Sequence, residues 1–400
     1  MLSSAAVADT VSYEFTIGAR EVNFTGTSVT ALAIDNQIPA PTIRASVGDT
    51  LRVTFHNSLQ EISTVHWHGI LLPAGQDGVA HLNTMPIAAG ASFTFEFPII
   101  HSGTFWYHSH TDMQIQRGLF GAVVLSDPAR ETELQEEVVV FSDWTDDRVS
   151  NVLNNLKSSD DYYSFDRNTV QSWNRVLANG NQAVRNRFAS SLSRMGPMDL
   201  ADVNYDAFLV NGSIEYRLAT ADIASSEMKL RLVNGSTSSY FDVEYAGGPM
   251  TVIAADGQDI VPIMVQRLRM STAETYDVLV PIDPDIAYEL RATSIDGTGY
   301  SSLLVGNGER VAAPDIPAPN LYLMEHGGMD IATMDMATMD MGGDTQHGPG
   351  DMAPDAQAPM LHQHPQAGDN NAHADHDMTQ TDQMGDGGRV IPHLTGYDDL

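Results

Sequence analysis

Not one cysteine occurs in the 400 residues of this chain, and that absence narrows what it can build more than any other feature of the sequence. Disulfides, thiol nucleophiles, iron–sulfur ligation and thiolate zinc sites are all excluded. A blue (type 1) copper centre inside these residues is excluded too, because that site needs a cysteine thiolate. Metal chemistry is left to the fourteen histidines, with methionine as a soft supplement.

The histidines are unevenly placed. Seven lie between His56 and His110, none between residues 111 and 325, and seven between His326 and His393. The first group sits in residues 9–128, where short β-branched or alternating runs (Tyr13–Ile17, Leu51–Phe55, Phe93–Phe97, Ala122–Leu125) are separated by Gly, Pro, Asn and Asp turns. Such spacing predicts a β-sandwich or barrel. The run EEVVVF at 136–141 opens a second unit, residues 129–319, whose strands are interrupted by helical patterns at Val149–Lys157, about Asn168–Leu177 and Gln182–Arg194. A length of 400 residues with 42% hydrophobic content fits two or three such domains.

Charge and hydropathy remove whole classes of partner. Acids outnumber bases 52 to 20, for a formal charge of -32. A nucleic-acid binder needs a basic surface to displace counterions from phosphates, so no nucleic-acid partner is expected. No run of 18 apolar residues occurs, so no membrane-spanning helix is expected either. Residues 1–8 end in Ala6-Val7-Ala8, a small-x-small pattern that reads as the remnant of an export signal and points to the periplasm.

Beyond Pro319 the composition changes. Residues 324–384 hold ten of the nineteen methionines and six histidines, and Ala-Thr-Met-Asp-Met is repeated at 332–336 and 337–341. No periodic apolar face is present, so residues 320–388 are expected to be a disordered Met/His-rich linker. Thioether sulfur selects Cu(I) over hard cations, and Met329, Met334, Met336, Met339 and Met341 are the candidate ligands. Residues 389–400, RVIPHLTGYDDL, regain ordinary composition.

The chemistry concentrates in two short motifs. In Val65-His66-Trp67-His68-Gly69 a strand conformation would place both imidazoles on one face, since residues i and i+2 share a side. Phe105-Trp106-Tyr107-His108-Ser109-His110 repeats the spacing. One His-x-His pair is weak evidence; two pairs framed by aromatics and glycine predict a shared metal site if their strands are neighbours. Imidazole suits Cu, Zn, Fe and Ni. His56, His81 and His101 read as surface or hydrogen-bonded histidines, and Trp67, Trp106 and Tyr107 as packing residues.

Here the sequence becomes recognisable. HWHG at 66–69, HSGTFWYHSH at 101–110 and RGLFGAVVL at 117–125 resemble the N-terminal domain of multicopper oxidases. The likeness continues through SDWTD (142–146), NLKSSDDYY (155–163), FDVEYAGGPMTVIAADGQDI (241–260) and AETYDV (273–278). With the Met/His-rich linker it is most similar to the bacterial copper-resistance members, over residues 11–400. The resemblance implies an all-β fold of tandem cupredoxin-like Greek-key sandwiches, the second with a helical insertion. It implies that His66 is a type 2 copper ligand, that His68, His108 and His110 are type 3 ligands, and that Asp77 in Gly75-Gln76-Asp77-Gly78 helps deliver protons. A plain turn residue is the other reading of Asp77.

The departures are equally specific. The family's trinuclear cluster takes eight histidines, four of them from a C-terminal cupredoxin domain that also supplies the type 1 cysteine in a His-Cys-His motif. Residues 389–400 resemble the approach to that domain, so the chain is expected to be its first two domains plus linker, with the third missing. The expected function is copper-dependent oxidation of Cu(I) or phenol-like donors with reduction of O2 to water, in copper resistance. A non-catalytic copper-binding or sequestering protein is the alternative.

Overall fold

Alternation in the sequence becomes two-layered packing in the first 120 residues. The computed structural model describes residues 9–130, 134–159, 162–192, 200–219 and 226–324. In the first sandwich β1 (Thr10–Val22), β2 (Val29–Ile34), β3 (Ala40–Ser46) and β4 (Thr50–Asn57) are followed by the three-residue β5 (His66–His68). β6 (Ser92–Pro98), β7 (Gly103–His108) and β8 (Phe120–Ser126) complete it. One sheet has the order β2-β1-β4-β6 and the other β3-β8-β7-β5. Their facing sides bury Phe15, Leu51, Phe55, Trp67, Phe95, Phe97 and Tyr107.

The second sandwich begins with β9 (Glu136–Trp144). Three helices follow it: α1 (Val149–Ser158), α2 (Trp173–Ala178) and α3 (Gly180–Leu192). Then come β10 (Ala207–Val210), β11 (Glu215–Leu218), β12 (Glu227–Asn234), β13 (Phe241–Tyr245), β14 (Met250–Ala255) and β15 (Gln258–Val265). β16 (Arg267–Met270), β17 (Thr275–Pro281), β18 (Ile286–Ser294), β19 (Tyr300–Val305) and β20 (Glu309–Val311) close the unit. Its two sheets run β10-β9-β12-β17-β14-β15 and β11-β19-β18-β13-β16, with β20 beside β18.

The helical excursion departs from its sequence pattern mainly in the middle helix; α3 begins two residues before the expected Gln182, and residues 193–194 lie outside the described residues. The middle helix starts at Trp173, five residues later than the pattern at 168, because Asn168 adopts φ 57 and interrupts right-handed helix. Gly180, at φ 88, supplies the break between α2 and α3. No helix among the described residues is long and apolar enough to cross a membrane. Residues 1–8 and 389–400 lie outside the described residues, as do Met329, Met334, Met336, Met339 and Met341.

Continuous apolar runs mark strands buried on both faces. FGAVVL of β8 and VVVF of β9 are of this kind, and the structure shows why. Trp106, Phe120, Ala122 and Val124 on the outer face of the β3-β8-β7-β5 sheet join Val138, Val140, Trp144, Leu209 and Val233 of the second sandwich in one buried cluster. A buried polar group reinforces that seam: Arg231 pairs with Glu136 and Asp277 and donates to Thr104 Oγ1 at 2.8 Å.

Candidate metal centre

The three residues of β5 pair antiparallel with β7, setting His66 opposite His108, Trp67 opposite Tyr107 and His68 opposite Trp106. Alternation then sorts the side chains. Trp67 and Tyr107 turn inward and are almost fully buried, while His66, His68, Trp106 and His108 share the outer face. β5 is the edge strand of its sheet, so the histidines stand where the inter-sandwich cluster ends.

Four imidazoles converge there. The His66 ring centroid lies 5.8 Å from that of His68, 5.4 Å from His108 and 5.4 Å from His110; His68 and His108 are 5.7 Å apart, His108 and His110 5.8 Å. One ring nitrogen from each of His66, His68 and His108 falls within 4.8 Å of the others. Two rings are oriented by carbonyls. His66 Nδ1–H donates to the Asp77 carbonyl at 2.8 Å, and His108 Nδ1–H to the Ser109 carbonyl at 3.1 Å. Both therefore present Nε2 to the shared space, which is the arrangement by which outer partners fix a metal-binding tautomer. The donor set fits copper: neutral imidazoles, free lone pairs, and space between the rings.

Asp77 is the turn residue of its second reading, and it also lies beside His66. It caps the short 3-10 turn at residues 74–76, and its carboxylate reaches 3.4 Å from His66 Nδ1 while accepting from Asn83 Nδ2 at 2.9 Å. His110 is tied by its backbone N–H to Thr64 Oγ1 at 3.2 Å. Gln114 was not singled out by sequence, yet its Oε1 accepts from Ser63 and Ser109 hydroxyls, each at 2.8 Å, and its Nε2 donates to the Ile62 carbonyl. It splices the segment before β5 to the one after β7. A glutamine four residues beyond a ligand carries no recognisable signal, so only the fold could reveal it.

His56 and His81 are exposed and stand outside the patch. His101 accepts the Leu71 N–H on Nε2 at 2.9 Å, a structural link between the two motifs. Beside His68 a cleft of about 310 Å³ opens between the sandwiches, lined by Trp106, Asp256, Thr272 and Glu274 among others.

Burial sets the protonation state. Desolvation lowers the pKa of His66 despite its bond to the Asp77 carbonyl. It lowers that of His68 as well, where the His66 charge adds to it. His108 stacks on Trp106 with centroids 4.2 Å apart and is only 9% exposed, so burial, then His66, holds it well below the ordinary 6.5. A histidine depressed on folding favours the native state above its unfolded pKa. That contribution is lost as pH falls from 6.5 through the folded value. In the metal-free chain the His108 ring is expected to titrate with a midpoint below 6.5, followed by its Cε1–H shift in NMR. A midpoint at or above 6.5 would contradict this burial.

Two β-sandwiches carrying a histidine patch at the edge of their junction, with a donor set that fits copper, define a copper-binding class of protein. Residues 16–130 and 135–309 each match a multicopper oxidase family domain, and the chain belongs to the multicopper oxidase family. It is 39% identical over 339 residues to copper resistance protein A of Escherichia coli, covering 82% of this chain and 56% of that protein. A copper resistance protein A homolog of Pseudomonas syringae pv. tomato is 37% identical over 384 residues, 90% of this chain and 64% of that one. The chain thus spans somewhat more than half the length of these relatives. Among solved structures, Fet3p, a multicopper oxidase that functions in iron import, superposes with a TM-score of 0.59 at 21% identity. That superposition covers 78% of this chain and 55% of that one, and it supports the fold.

Proposed function

We propose that residues 1–400 carry one half of a trinuclear copper site in a periplasmic copper-resistance oxidase. His66 is the type 2 ligand, and His68, His108 and His110 are type 3 ligands. A facing cupredoxin domain, which also brings the type 1 copper, supplies the rest. The observation that carries this reading is the convergence of four imidazoles, five of whose centroid separations lie between 5.4 and 5.8 Å, on the edge strand of a sheet.

Bound copper supplies the one-electron steps by which O2 is reduced to water at the expense of Cu(I) or phenol-like donors. The protein's own part is orientation and proton handling. The Asp77 and Ser109 carbonyls hold two rings in the tautomer that leaves Nε2 free, and the Asp77 carboxylate stands beside His66, placed to relay protons toward the patch. Met329, Met334, Met336, Met339 and Met341 take up Cu(I) through their thioethers, collecting the ion that the oxidase consumes.

A site-resolved titration tests the patch. Trp106 is one of four tryptophans, and its ring stacks on His108. Paramagnetic Cu(II) bound between the histidines is expected to erase the Trp106 indole N–H signal of the 15N-labelled chain. No intense blue thiolate absorption should accompany it, since these residues contain no cysteine. Copper uptake that leaves the Trp106 signal intact would place the ion elsewhere and sink the reading.

A further inference from the structure

We propose that the turn Asp256-Gly257 of the second sandwich is a positioning element for His68, acting through the Phe105 ring; the inference rests on the copper reading of the patch. Its starting point is an asymmetry among the imidazoles. His66 and His108 are each oriented by a carbonyl, whereas no described residue hydrogen-bonds the His68 ring. The His68 ring packs instead on Trp106, with ring centroids 5.1 Å apart, and feels the charge of Asp256, with which it lines the cleft.

That packing is set from the neighbouring sandwich. β14 and β15 pair as far as Ala255 and Gln258, leaving Asp256 and Gly257 as a two-residue hairpin tip with φ 46 and 73. Asp-Gly with both residues at positive φ is the combination that a type I′ turn favours. The tip lies against the start of β7. A Cβ on Gly257 would overlap the Phe105 ring, and a Cβ on Gly103 would overlap the Gly257 backbone. The two glycines let chain segments from different sandwiches meet without an intervening side chain.

The Phe105 ring has a second backbone neighbour. It meets Gly69, where a Cβ would sit 3.0 Å from the ring. It also takes the His101 ring edge-on at 5.0 Å, and His101 in turn holds the Leu71 N–H. Phe105 thus touches both the hairpin tip and Gly69, the residue that immediately follows His68. A second grip runs beside it. Asp256 Oδ1 accepts the Thr275 N–H at 3.0 Å, and Thr275 Oγ1–H donates to the Thr104 carbonyl at 2.8 Å. A sandwich that contributes no ligand to the patch therefore determines where one of its ligands points.

The test uses the full chain and Cu(II), read by the broadening of the Trp106 indole signal. Gly257→Ala is expected to push the Phe105 ring toward Gly69 and weaken Cu(II) binding about 10–100-fold, the range for groups that orient a ligand. Adding Phe105→Leu makes room and should restore most of the affinity, which general destabilisation would not allow. Thr275→Val, which keeps shape and loses the bond to Thr104, should weaken binding in the same direction while thermal melting shows a folded protein. If wild type binds Cu(II) and Gly257→Ala binds it equally, the inference falls and the copper reading stands. If wild type does not bind, both fall. A loss that Phe105→Leu fails to relieve would also overturn the route, since its cause would then be the turn backbone.

Discussion

A chain carrying His108→Ala and His110→Ala is expected to lose Cu(II) binding at the patch by at least about 100-fold while remaining folded. The two rings stand at opposite ends of the same motif and contribute different things. His108 is buried against Trp106 and presents Nε2 beside those of its neighbours; His110 closes the patch from beyond the end of β7, 5.4 Å from His66. Without them His66 and His68 remain as a pair on one three-residue strand, and most of the chelate contribution is gone. Truncating His108 leaves a void beside Trp106 of the kind that costs about 2–5 kcal/mol in a tight core, and less where the site can collapse or hydrate. That is a fraction of the roughly 5–15 kcal/mol expected of a native domain, so melting should shift without the fold being lost. The measurement is the Cu(II) concentration that erases the Trp106 indole signal, with circular dichroism as the control. An unchanged concentration in the double variant would remove the patch from the copper chemistry.

The residues that made this site visible in the sequence did so because strand alternation is a strict code. With a period of two, His66 and His68 must share a face, and so must the residues paired opposite them. The aromatics between them must then turn the other way, which is why Trp67 and Tyr107 are core residues. The double-sided runs in β8 and β9 were equally legible as buried strands, but nothing in them tells which surface covers their second face. That surface is the other sandwich, and its identity had to wait for the fold. The same holds for burial at the patch. Sequence alone gives a solvent-facing set of histidines, whereas His108 is covered because Trp106, two residues earlier on the same face, lies flat on it. Long-range partners were the least readable. Gln114, His101, Thr104 with Arg231, and the Asp256-Gly257 tip act through contacts between segments far apart in the chain, and even where a local pattern marks the element, as Asp-Gly marks a hairpin turn, it does not name the partner. Asp77 shows the intermediate case: its turn chemistry was readable, but its carbonyl, rather than its carboxylate, makes the shorter contact to His66.

The glycine that follows Asp77 provides the sharpest check on how the turn and the patch depend on each other. Gly78 sits at φ 87, and a Cβ there would overlap the Val65 carbonyl oxygen and crowd the His66 Cα at 2.9 Å. Neither neighbour can step aside easily, because both are backbone, one of β5 itself and the other of the residue that leads into it. Alanine at a positive φ costs roughly 1–3 kcal/mol. Forcing atoms into a packed contact adds about 1–3 kcal/mol more. Gly78→Ala is therefore expected to lower stability by about 2–6 kcal/mol in total, a large loss for one methyl group. The strain can be relieved only by separating the turn from β5, and that withdraws the Asp77 carbonyl from His66 Nδ1. Copper affinity should then fall about 10–100-fold beyond any effect of unfolding, because the ring loses the partner that fixes its tautomer. Gly75 offers a control within the same turn, since a Cβ there meets nothing within 4 Å and its φ is not in the left-handed region. Gly75→Ala should leave both melting and copper binding near the wild-type values. Thermal melts and Trp106-detected Cu(II) titrations of the two variants decide the matter: a Gly78→Ala chain that melts and binds like Gly75→Ala would show that β5 is not held against this turn, and that His66 takes its orientation from elsewhere.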